Sequence, residues 1–199
     1  RGLGDVYKRQ LINRATQGLY PPGSTFKIVT LASALENLPD LNDFAFDCTG
    51  YYPVGNYSVT DGSAHGVQSL SDAFAHSCNT TFAALSQDLG YEMLGQTAEE
   101  MGFNQEFTFG TVPVSKSEID LSKANANELG WAGVGQYTLT ANPYHMMVLM
   151  GAIANGGEYV QPKLTNDLNL FGSLGKDNRT LVSASEAAQL ESCLLYTSD

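Results

Sequence analysis

The sequence predicts an α+β fold represented here by one mainly helical lobe, with most of the sheet missing. Along the chain the structural signals are mostly helical, and long polar loops separate them. About thirty residues after the first predicted helix are loop or short strand, rich in Gly, Tyr, Asp and Asn. The 43% apolar fraction of the 199 residues is ordinary for one domain that buries a core.

The first helices are predicted from apolar runs that follow polar start signals. Residues 24–36 predict a helix that is apolar on almost every side, so we expect it to be buried. Ser69 and Asp72 form an S-x-x-D capping box, which starts a short second helix. Residues 79–89 predict a third helix, and Gly90 ends it.

The rest of the chain gives fewer signals. A fourth helix is predicted up to Met101, where a glycine follows. Residues 103–130 show no sustained apolar period. The Asn–Pro pair at 142–143 is a strong helix start, and the apolar run after it forms the helix body. Ser183 and Glu186 form another capping box, which begins a last helix.

Both ends of the chain are expected to be scars of cloning or sequencing. A DNA string that can encode "DVYKRQ", residues 5–10, has a reverse complement that encodes "CLLYTS", residues 193–198, in a shifted frame. Such an inverted repeat is similar to the transposase end sequence used to prepare sequencing libraries. We therefore exclude residues 1–10 and 193–199 from the fold, and expect residues 11–192 to be an internal piece of a larger protein whose last helix is cut by the scar.

Composition excludes several classes of function. A formal net charge of −11 makes the chain a poor binder of nucleic acid. The longest apolar run, "MMVLMGAIA", is far shorter than the roughly 20 residues of a membrane span, so any anchor is expected outside this chain. Cys48 and Cys78 fix neither a disulfide framework nor a metal site. We therefore predict no metal and no cofactor.

The stretch "PPGSTFK", residues 21–27, places a lysine in the first turn of the buried first helix. Burial and the positive end of the helix dipole both favour the neutral form of Lys27, which can then act as a base. Ser24 lies three residues earlier on the same helical face, so its hydroxyl can reach the amine and become a nucleophile. The competing interpretation is a lysine that extends to solvent from a serine-capped helix. A second match, "SLGK" at 173–176, lies among turn residues and is expected to have no function.

A second polar pattern, "SCN" at Ser77–Asn79, lies at the predicted junction of two helices. Side chains at such a junction project from a loop instead of packing along a helix. Taken alone, the S-x-N pattern is more typical of helix capping by Ser77 or Asn79. Together with Ser24 and Lys27, it forms a candidate catalytic constellation.

S-x-x-K followed about fifty residues later by S-x-N resembles the penicillin-binding proteins and serine β-lactamases. Three longer stretches are similar to the transpeptidase domain of a class B penicillin-binding protein, in the same order and at similar spacing: "NRATQGLYPPGSTFKIVTLASALE", "AFAHSCNTTFAALSQDLG" and "GVGQYTLTANPYHMMVLMGAIANGG". The resemblance covers most of residues 11–162. It implies a helical lobe packed on a five-stranded antiparallel sheet, with the active site between them.

The resemblance also implies a D,D-transpeptidase that cross-links peptidoglycan stem peptides through a serine acyl-enzyme. Ser24 would attack the D-alanyl-D-alanine bond with Lys27 as general base, and the Ser24 N–H would supply half of an oxyanion hole. Ser77 would relay a proton to the leaving amine, and Asn79 would hold the substrate amide or orient Lys27. β-Lactams would acylate the same serine.

The family also implies where such a protein works and what it binds. Its partners would be peptidoglycan stem peptides and β-lactams, not nucleic acid. The parent protein is expected to be anchored in the cell membrane, with this domain on the extracytoplasmic side. It is also expected to associate with other proteins of cell-wall synthesis.

The sequence departs from the family pattern because it contains no K-T-G or K-S-G. In the family that strand carries a substrate-binding lysine and the second oxyanion donor, so we expect the isolated chain to be inactive. Two alternatives to a transpeptidase stay open. One is a β-lactamase or D,D-carboxypeptidase, although Glu128 lacks the expected neighbours of a water-activating glutamate. The other is a non-enzymatic penicillin sensor.

Other residues near these motifs are predicted to have structural roles. Gly135 and Gln136, in "GVGQ", are interpreted as backbone and packing residues near the cleft. A packing or loop role is also predicted for His65, His76, Trp131, Tyr137 and His145.

Overall fold

The computed structural model describes residues 12–39, 41–162 and 179–196. In these ranges the helices are α1 (Arg14–Gln17), α2 (Lys27–Asn37), α3 (Leu70–Ala75), α4 (Asn79–Glu100), α5 (Ala126–Gly133), α6 (Pro143–Ala154) and α7 (Ala184–Tyr196). The strands are β1 (Phe46–Cys48), β2 (Tyr51–Val54), β3 (Tyr57–Thr60), β4 (Gly66–Gln68), β5 (Phe107–Phe109) and β6 (Val112–Val114). Short 3₁₀ turns cover Gly23–Phe26 and Leu41–Asp43. The second S-x-x-K match at 173–176 lies outside the described residues.

Helices α2 and α4 form the centre of the predicted helical lobe. Helix α2 packs against α4 and α7, and α4 also packs against α5. The largest fully buried apolar side chains include Phe26, Leu31, Phe82, Phe103 and Leu149. Burying one such side chain contributes roughly 1.5–3 kcal/mol, so this apolar contact between helices is the main support of the lobe.

The strands form three antiparallel pairs within the described ranges. Strand β1 pairs with β4, β2 with β3, and β5 with β6. Cys48 at the end of β1 lies opposite Gly66, and the β2–β3 pair packs against α4 and α5. This pairing places Asp61, the residue after β3, beside the start of α4. The architecture is therefore the predicted α+β class, in which helix predominates.

The helix starts follow the predicted capping signals. Ser69 with Asp72, and Ser183 with Glu186, exchange the reciprocal hydrogen bonds of capping boxes. Asn142 caps α6 ahead of the proline. These hydrogen bonds confirm the three predicted helix starts. The starts could be predicted from sequence because a cap depends on only about four neighbouring residues.

The glycine-based helix end was predicted at the right place. Gly90 has a positive φ of 74° and interrupts α4, so residues before and after it form two helices that meet at a kink. Glycine alone populates this conformation at little cost. The predicted stop is therefore confirmed, although the second helix continues directly from it.

Two helices differ from the prediction. Residues Gly23–Phe26 form a 3₁₀ turn, so α2 begins at Lys27 instead of residue 24. Helix α5 begins inside the segment 103–130, for which no helix was predicted, and ends three residues beyond it. It is only eight residues long, and its start signal is the capping box of Asn125 and Glu128. A search for long apolar periods overlooks a helix of this length.

Helix α7 continues to Tyr196, beyond the junction at which the last helix was expected to be cut. The Tyr196 hydroxyl donates a hydrogen bond of 2.9 Å to the Asp72 carboxylate. Residues 193–196 thus pack as helix, whereas 1–10 and 197–199 lie outside the described residues. The foreign origin of both ends stays a prediction.

A close approach between two backbone segments fixes the turn before α2. The Gly23 N–H donates to the Gly135 carbonyl at 2.9 Å. Gly135 has a φ of +81°, and a Cβ at this position would lie 1.9 Å from the Gly23 oxygen. A side chain at residue 135 would therefore push away the turn that carries Ser24.

Gly135→Ala is expected to lower the free energy of unfolding by about 2–5 kcal/mol. Left-handed strain accounts for roughly 1–2 kcal/mol of this loss, and the clash with the Gly23 backbone for roughly 1–3 kcal/mol. Denaturant titration measures the difference. Gly156→Ala is the matched control because Gly156 also has a positive φ, 68°, but a Cβ there meets nothing within 4 Å. Equal losses in the two variants would contradict the steric role of residue 135.

Candidate active site

A cavity of about 400 Å³ lies beside the turn that carries Ser24. Its lining residues are Ser24, Asn79, Glu128, Trp131, Val134, Gln136 and Tyr137. The Ser24 side chain is exposed, so a ligand in the cavity can reach its hydroxyl. A second cavity of about 410 Å³ shares Tyr137 with the first. Tyr137, which has a strained φ of +71°, thus lines both cavities.

The Lys27 side chain is buried behind this cavity, with 1% of its surface exposed. It lies in the first turn of α2, between the fully buried residues Phe26 and Ile28 in sequence. Its Nζ lies 3.2 Å from Ser24 Oγ and 5.7 Å from the centre of the Phe82 ring. The competing interpretation of a lysine that extends to solvent is therefore wrong.

Four oxygen atoms surround Lys27 Nζ. Besides Ser24 Oγ, they are Ser77 Oγ at 2.8 Å, Asn79 Oδ1 at 2.7 Å and the Ser77 carbonyl oxygen. A protonated amine has three donors and no lone pair. A neutral amine has two donors, which match the two carbonyl-type oxygens, and one lone pair, which can accept from the Ser24 hydroxyl. Either form can satisfy three of the four oxygens, so the arrangement accommodates the neutral amine as well as the protonated one.

Burial lowers the pKa of Lys27 from 10.5 to about 8, because the charged form loses its hydration. Asp61, and to a smaller extent Cys78, act in the opposite direction and raise the pKa of Lys27. A pKa near neutrality leaves a useful fraction of the amine unprotonated, as a general base requires.

Ser77 occupies an unusual backbone position at the end of α3. The Cys78 N–H donates to the Ala73 carbonyl and the Ser77 N–H donates to the Phe74 carbonyl, the two bonds of a Schellman motif. Ser77 takes the left-handed position of this motif, with φ +53°, where glycine is usual. This strained position directs both its hydroxyl and its carbonyl oxygen toward Lys27.

The Asn79 side chain and backbone are fixed by three hydrogen bonds. Its N–H donates to Asp61 Oδ2 at 2.7 Å, and its Nδ2 donates to the Thr60 carbonyl at 3.1 Å. Its Oδ1 accepts from Lys27 Nζ. These contacts assign the amide orientation and place Asn79 at the edge of the cavity.

All four residues of the predicted constellation lie together. Ser24 and Asn79 face the cavity, while Lys27 and Ser77 lie behind it and connect them. The S-x-N segment is therefore more than a helix cap. The i, i+3 spacing of Ser24 and Lys27 gives the predicted contact even though a 3₁₀ turn, not an α-helix, carries the serine.

Sequence reasoning missed part of the cavity wall. Trp131 and Tyr137, predicted to be packing residues, line the cavity, and so does the Gln136 side chain. Glu128 also lines it, and its Oε2 accepts the Asn125 N–H at 2.7 Å in the capping box of α5. The overlooked signal was this capping box, because the helix that it starts presents Glu128 and Trp131 one turn apart.

The three histidines occupy different environments. His145 is fully buried and contacts Ser117 Oγ and the Met101 carbonyl, in keeping with the packing role predicted for it. His65 and His76 stack with ring centres 5.0 Å apart. His65 is also one of four residues, with Cys48, Asp61 and Cys78, that could hold a metal ion.

A family model described as "Penicillin binding protein transpeptidase domain" matches residues 3–196. The chain is 30% identical over 200 residues to peptidoglycan D,D-transpeptidase PbpA of Mycobacterium tuberculosis. This match covers 94% of this chain and 40% of PbpA. It is 29% identical over 175 residues to peptidoglycan D,D-transpeptidase MrdA of Acinetobacter baumannii, which covers 80% of this chain and 26% of that protein.

Solved structures show the same fold. The D,D-transpeptidase domain of a peptidoglycan glycosyltransferase from Eggerthella lenta has a TM-score of 0.84 at 30% identity, and the match covers 98% of this chain and 54% of that one. The ceftriaxone acyl-enzyme complex of penicillin-binding protein A from M. tuberculosis also has a TM-score of 0.84, at 27% identity, over 98% of this chain and 46% of that one. The chain thus spans about half the length of these structures.

Within the described ranges, the helices are too short or too polar to cross a membrane.

The Lys27 amine is expected to titrate with a midpoint near pH 8, because burial lowers its pKa to about 8. The ¹³Cε resonance of labelled lysine, followed by NMR in the full-length gene product, measures this midpoint. Lys27→Arg assigns the resonance by removing it. A midpoint above about 10, the ordinary range of an exposed lysine, would contradict the buried environment.

Proposed function

The chain belongs to the penicillin-binding protein transpeptidase family, in its class B branch, and on this premise we propose that it carries the acyl-transfer site of a peptidoglycan D,D-transpeptidase. One observation carries the proposal. The buried, weakly basic amine of Lys27 contacts Ser24, Ser77 and Asn79 at once, beside an open cavity. The relatives PbpA and MrdA are both named peptidoglycan D,D-transpeptidases, which supports this class of reaction.

The first half of the proposed reaction acylates Ser24. Its Oγ attacks the carbonyl carbon of the D-alanyl-D-alanine peptide bond, and the hydroxyl proton passes to the lone pair of Lys27 Nζ. The tetrahedral intermediate then breaks the C–N bond. The proton moves from Lys27 through the Ser77 hydroxyl, 2.8 Å away, to the nitrogen of the departing D-alanine.

The second half transfers the acyl group. An amine on a second stem peptide attacks the Ser24 ester, loses its proton along the same path, and leaves a new peptide bond and a free Ser24 hydroxyl. Asn79 orients Lys27 through its Oδ1, and its position on the cavity wall suits contact with the substrate amide. Ser24 attacks the strained cyclic amide of a β-lactam in the same way and breaks its C–N bond. Because that bond lies in a ring, the leaving nitrogen stays attached to the acyl group and does not depart as D-alanine would.

A hydrolase of the same superfamily is a weaker candidate. A class A β-lactamase would require a glutamate that activates water beside the ester, and Glu128 is the acidic residue that lines the cavity. However, Glu128 Oε2 already accepts the Asn125 N–H at 2.7 Å as part of a helix cap. This engagement favours transfer to an amine over hydrolysis.

We also propose the ligands, cellular location and partners of the full-length protein. Stem peptides and β-lactams are its ligands, and relatives whose structures were solved as acyl-enzymes of ceftriaxone and penicillin G support the second of these. Peptidoglycan lies outside the cytoplasm, so the domain works on the extracytoplasmic face of the cell membrane. We expect a membrane anchor and contacts with other cell-wall synthesis proteins in the parent.

Ser24→Ala should abolish covalent labelling of the full-length gene product by a fluorescent penicillin, because it removes the attacking oxygen. Gel fluorescence after denaturation measures the label. Ser173→Ala, in the second S-x-x-K match, is the matched control and should label like the unchanged protein. Label that survives Ser24→Ala, or that disappears with Ser173→Ala, would reject the assignment of the nucleophile.

Lys27→Arg should slow acylation by about 10²- to 10⁴-fold, because arginine stays protonated and cannot accept the Ser24 proton. In the unchanged protein the rate should rise as the pH increases through about 8, since only the neutral amine has a lone pair. Time courses of penicillin labelling, quenched by denaturation at set times from pH 6 to 10, measure both effects. Lys123→Arg, at an exposed lysine, should keep the original rate and pH profile. An unchanged rate in Lys27→Arg would exclude Lys27 as the base.

A further inference from the structure

We propose that Glu128 binds the amine of the second stem peptide as an ammonium ion, and so determines which acceptor takes the acyl group from Ser24. This inference rests on the proposed transpeptidase function and extends it to the choice of acceptor. Glu128 and Ser24 line the same cavity of about 400 Å³. The ester of the acyl-enzyme therefore shares its space with this carboxylate.

Glu128 gives the cavity a negative charge. Among the described residues that line the cavity, it is the only one with a charged side chain, because the others are serine, asparagine, glutamine, valine and aromatic residues. In the part of the chain that the structure describes, no lysine or arginine lies within 4 Å of its carboxylate. The carboxylate is therefore available to a cation that enters the cavity.

The helix cap of α5 fixes this carboxylate in position. Its Oε2 accepts the Asn125 N–H at 2.7 Å, while Asn125 Oδ1 accepts the Glu128 N–H at 3.0 Å. A carboxylate has about four lone-pair sites, so Glu128 can cap the helix and bind an ammonium ion at the same time. Binding a cation requires no proton transfer to the carboxylate, unlike the activation of water.

Two aromatic residues complete a site suited to an ammonium ion. Trp131 follows Glu128 by one turn on the same face of α5, and it lines the cavity together with Tyr137. Aromatic faces attract ammonium ions, and the tryptophan ring does so most strongly. Loss of hydration raises the pKa of the half-buried Tyr137 hydroxyl, and the charge of Glu128 raises it further. Tyr137 therefore stays uncharged and lies within electrostatic reach of Glu128.

The charge of Glu128 also separates the two substrates. The D-alanyl-D-alanine donor ends in a carboxylate, which Glu128 repels, so this end of the donor is expected to bind away from α5. The acceptor, in contrast, carries a positive charge as long as its amine is protonated. We therefore expect the acceptor amine to approach the Ser24 ester from the α5 side of the cavity.

Pairing with Glu128 acts on binding of the acceptor. Before attack, the ammonium ion gives one proton to solvent water. The neutral amine then attacks the ester carbon, the C–O bond to Ser24 breaks, and the second proton passes through Ser77 and Lys27 to the Ser24 oxygen. Because Glu128 takes no proton in this sequence, its loss should change KM for the acceptor and have little effect on kcat.

Glu128→Gln should raise the KM for a stem peptide with a free amine by about 5- to 30-fold, because a half-buried contact between charged groups is lost. The full-length gene product is supplied with a D-alanyl-D-alanine donor peptide, and mass spectrometry quantifies the cross-linked product. Glutamine can form the same capping box, so α5 should stay intact. Glu92→Gln is the matched control, because it removes an exposed carboxylate of α4 that lines neither cavity. It should keep the original KM.

A second acceptor separates recognition of charge from distortion of the cavity. In this peptide a hydrazide replaces the amine, and a hydrazide is uncharged at neutral pH but still nucleophilic. Its KM should be the same for Glu128→Gln and for the unchanged protein. Equal KM values of the two proteins for the amine acceptor would overturn the role of Glu128. An equal rise in KM for both acceptors would also overturn it, since the substitution would then have changed the shape of the site.

Penicillin labelling distinguishes this inference from the function on which it rests, because a β-lactam requires no acceptor. A protein that is never labelled at Ser24 would refute the proposed function. A protein that is labelled but forms no cross-linked product with either acceptor would refute transfer to an amine, and with it the role of Glu128. A protein that is labelled and forms the product, but whose KM is insensitive to Glu128→Gln, would refute the role of Glu128 alone.

Discussion

One buried amine joins the parts of the chain that must meet in the site. Lys27 Nζ connects the start of α2 with Ser77, 50 residues away in sequence, and with Asn79. An amine buried without partners is costly, so the helices can pack fully only when the α3–α4 junction supplies these oxygens. The packing of the helical lobe and the geometry of the site therefore depend on the same contacts of Lys27.

The same constraint explains the small elements around the site. The β2–β3 pair carries no residue of the Lys27 cluster, yet it places Thr60 and Asp61 where they hold Asn79. The contact between Gly23 and Gly135 fixes the turn of Ser24 from the opposite segment. Ser24 and Asn79 are thus each held by a segment distant in sequence, and such support gives a site its precision.

Sequence reasoning reached the features that depend on near neighbours. The capping boxes, the break at Gly90 and the contact of Ser24 with Lys27 are all local, and the S-x-x-K and S-x-N patterns identified the family. The cavity wall could not be predicted in the same way. Trp131 lines it because of how the short helix α5 lies on α4, and Tyr137 lies in the segment that follows this helix. The cluster of Cys48 and His65 depends on strand pairing across a loop.

The left-handed backbone of Ser77 has a consequence for the evolution and engineering of this domain. Glycine is the residue that such a helix end favours. Ser77→Gly would therefore relieve the backbone strain, but it would also remove the hydroxyl beside Lys27. If Ser77 has its proposed role in proton transfer, thermal stability and reactivity are therefore opposed at this residue. Selection for a high melting temperature alone would therefore favour Ser77→Gly and yield a stable but inactive protein. Selection that also requires activity would retain the serine.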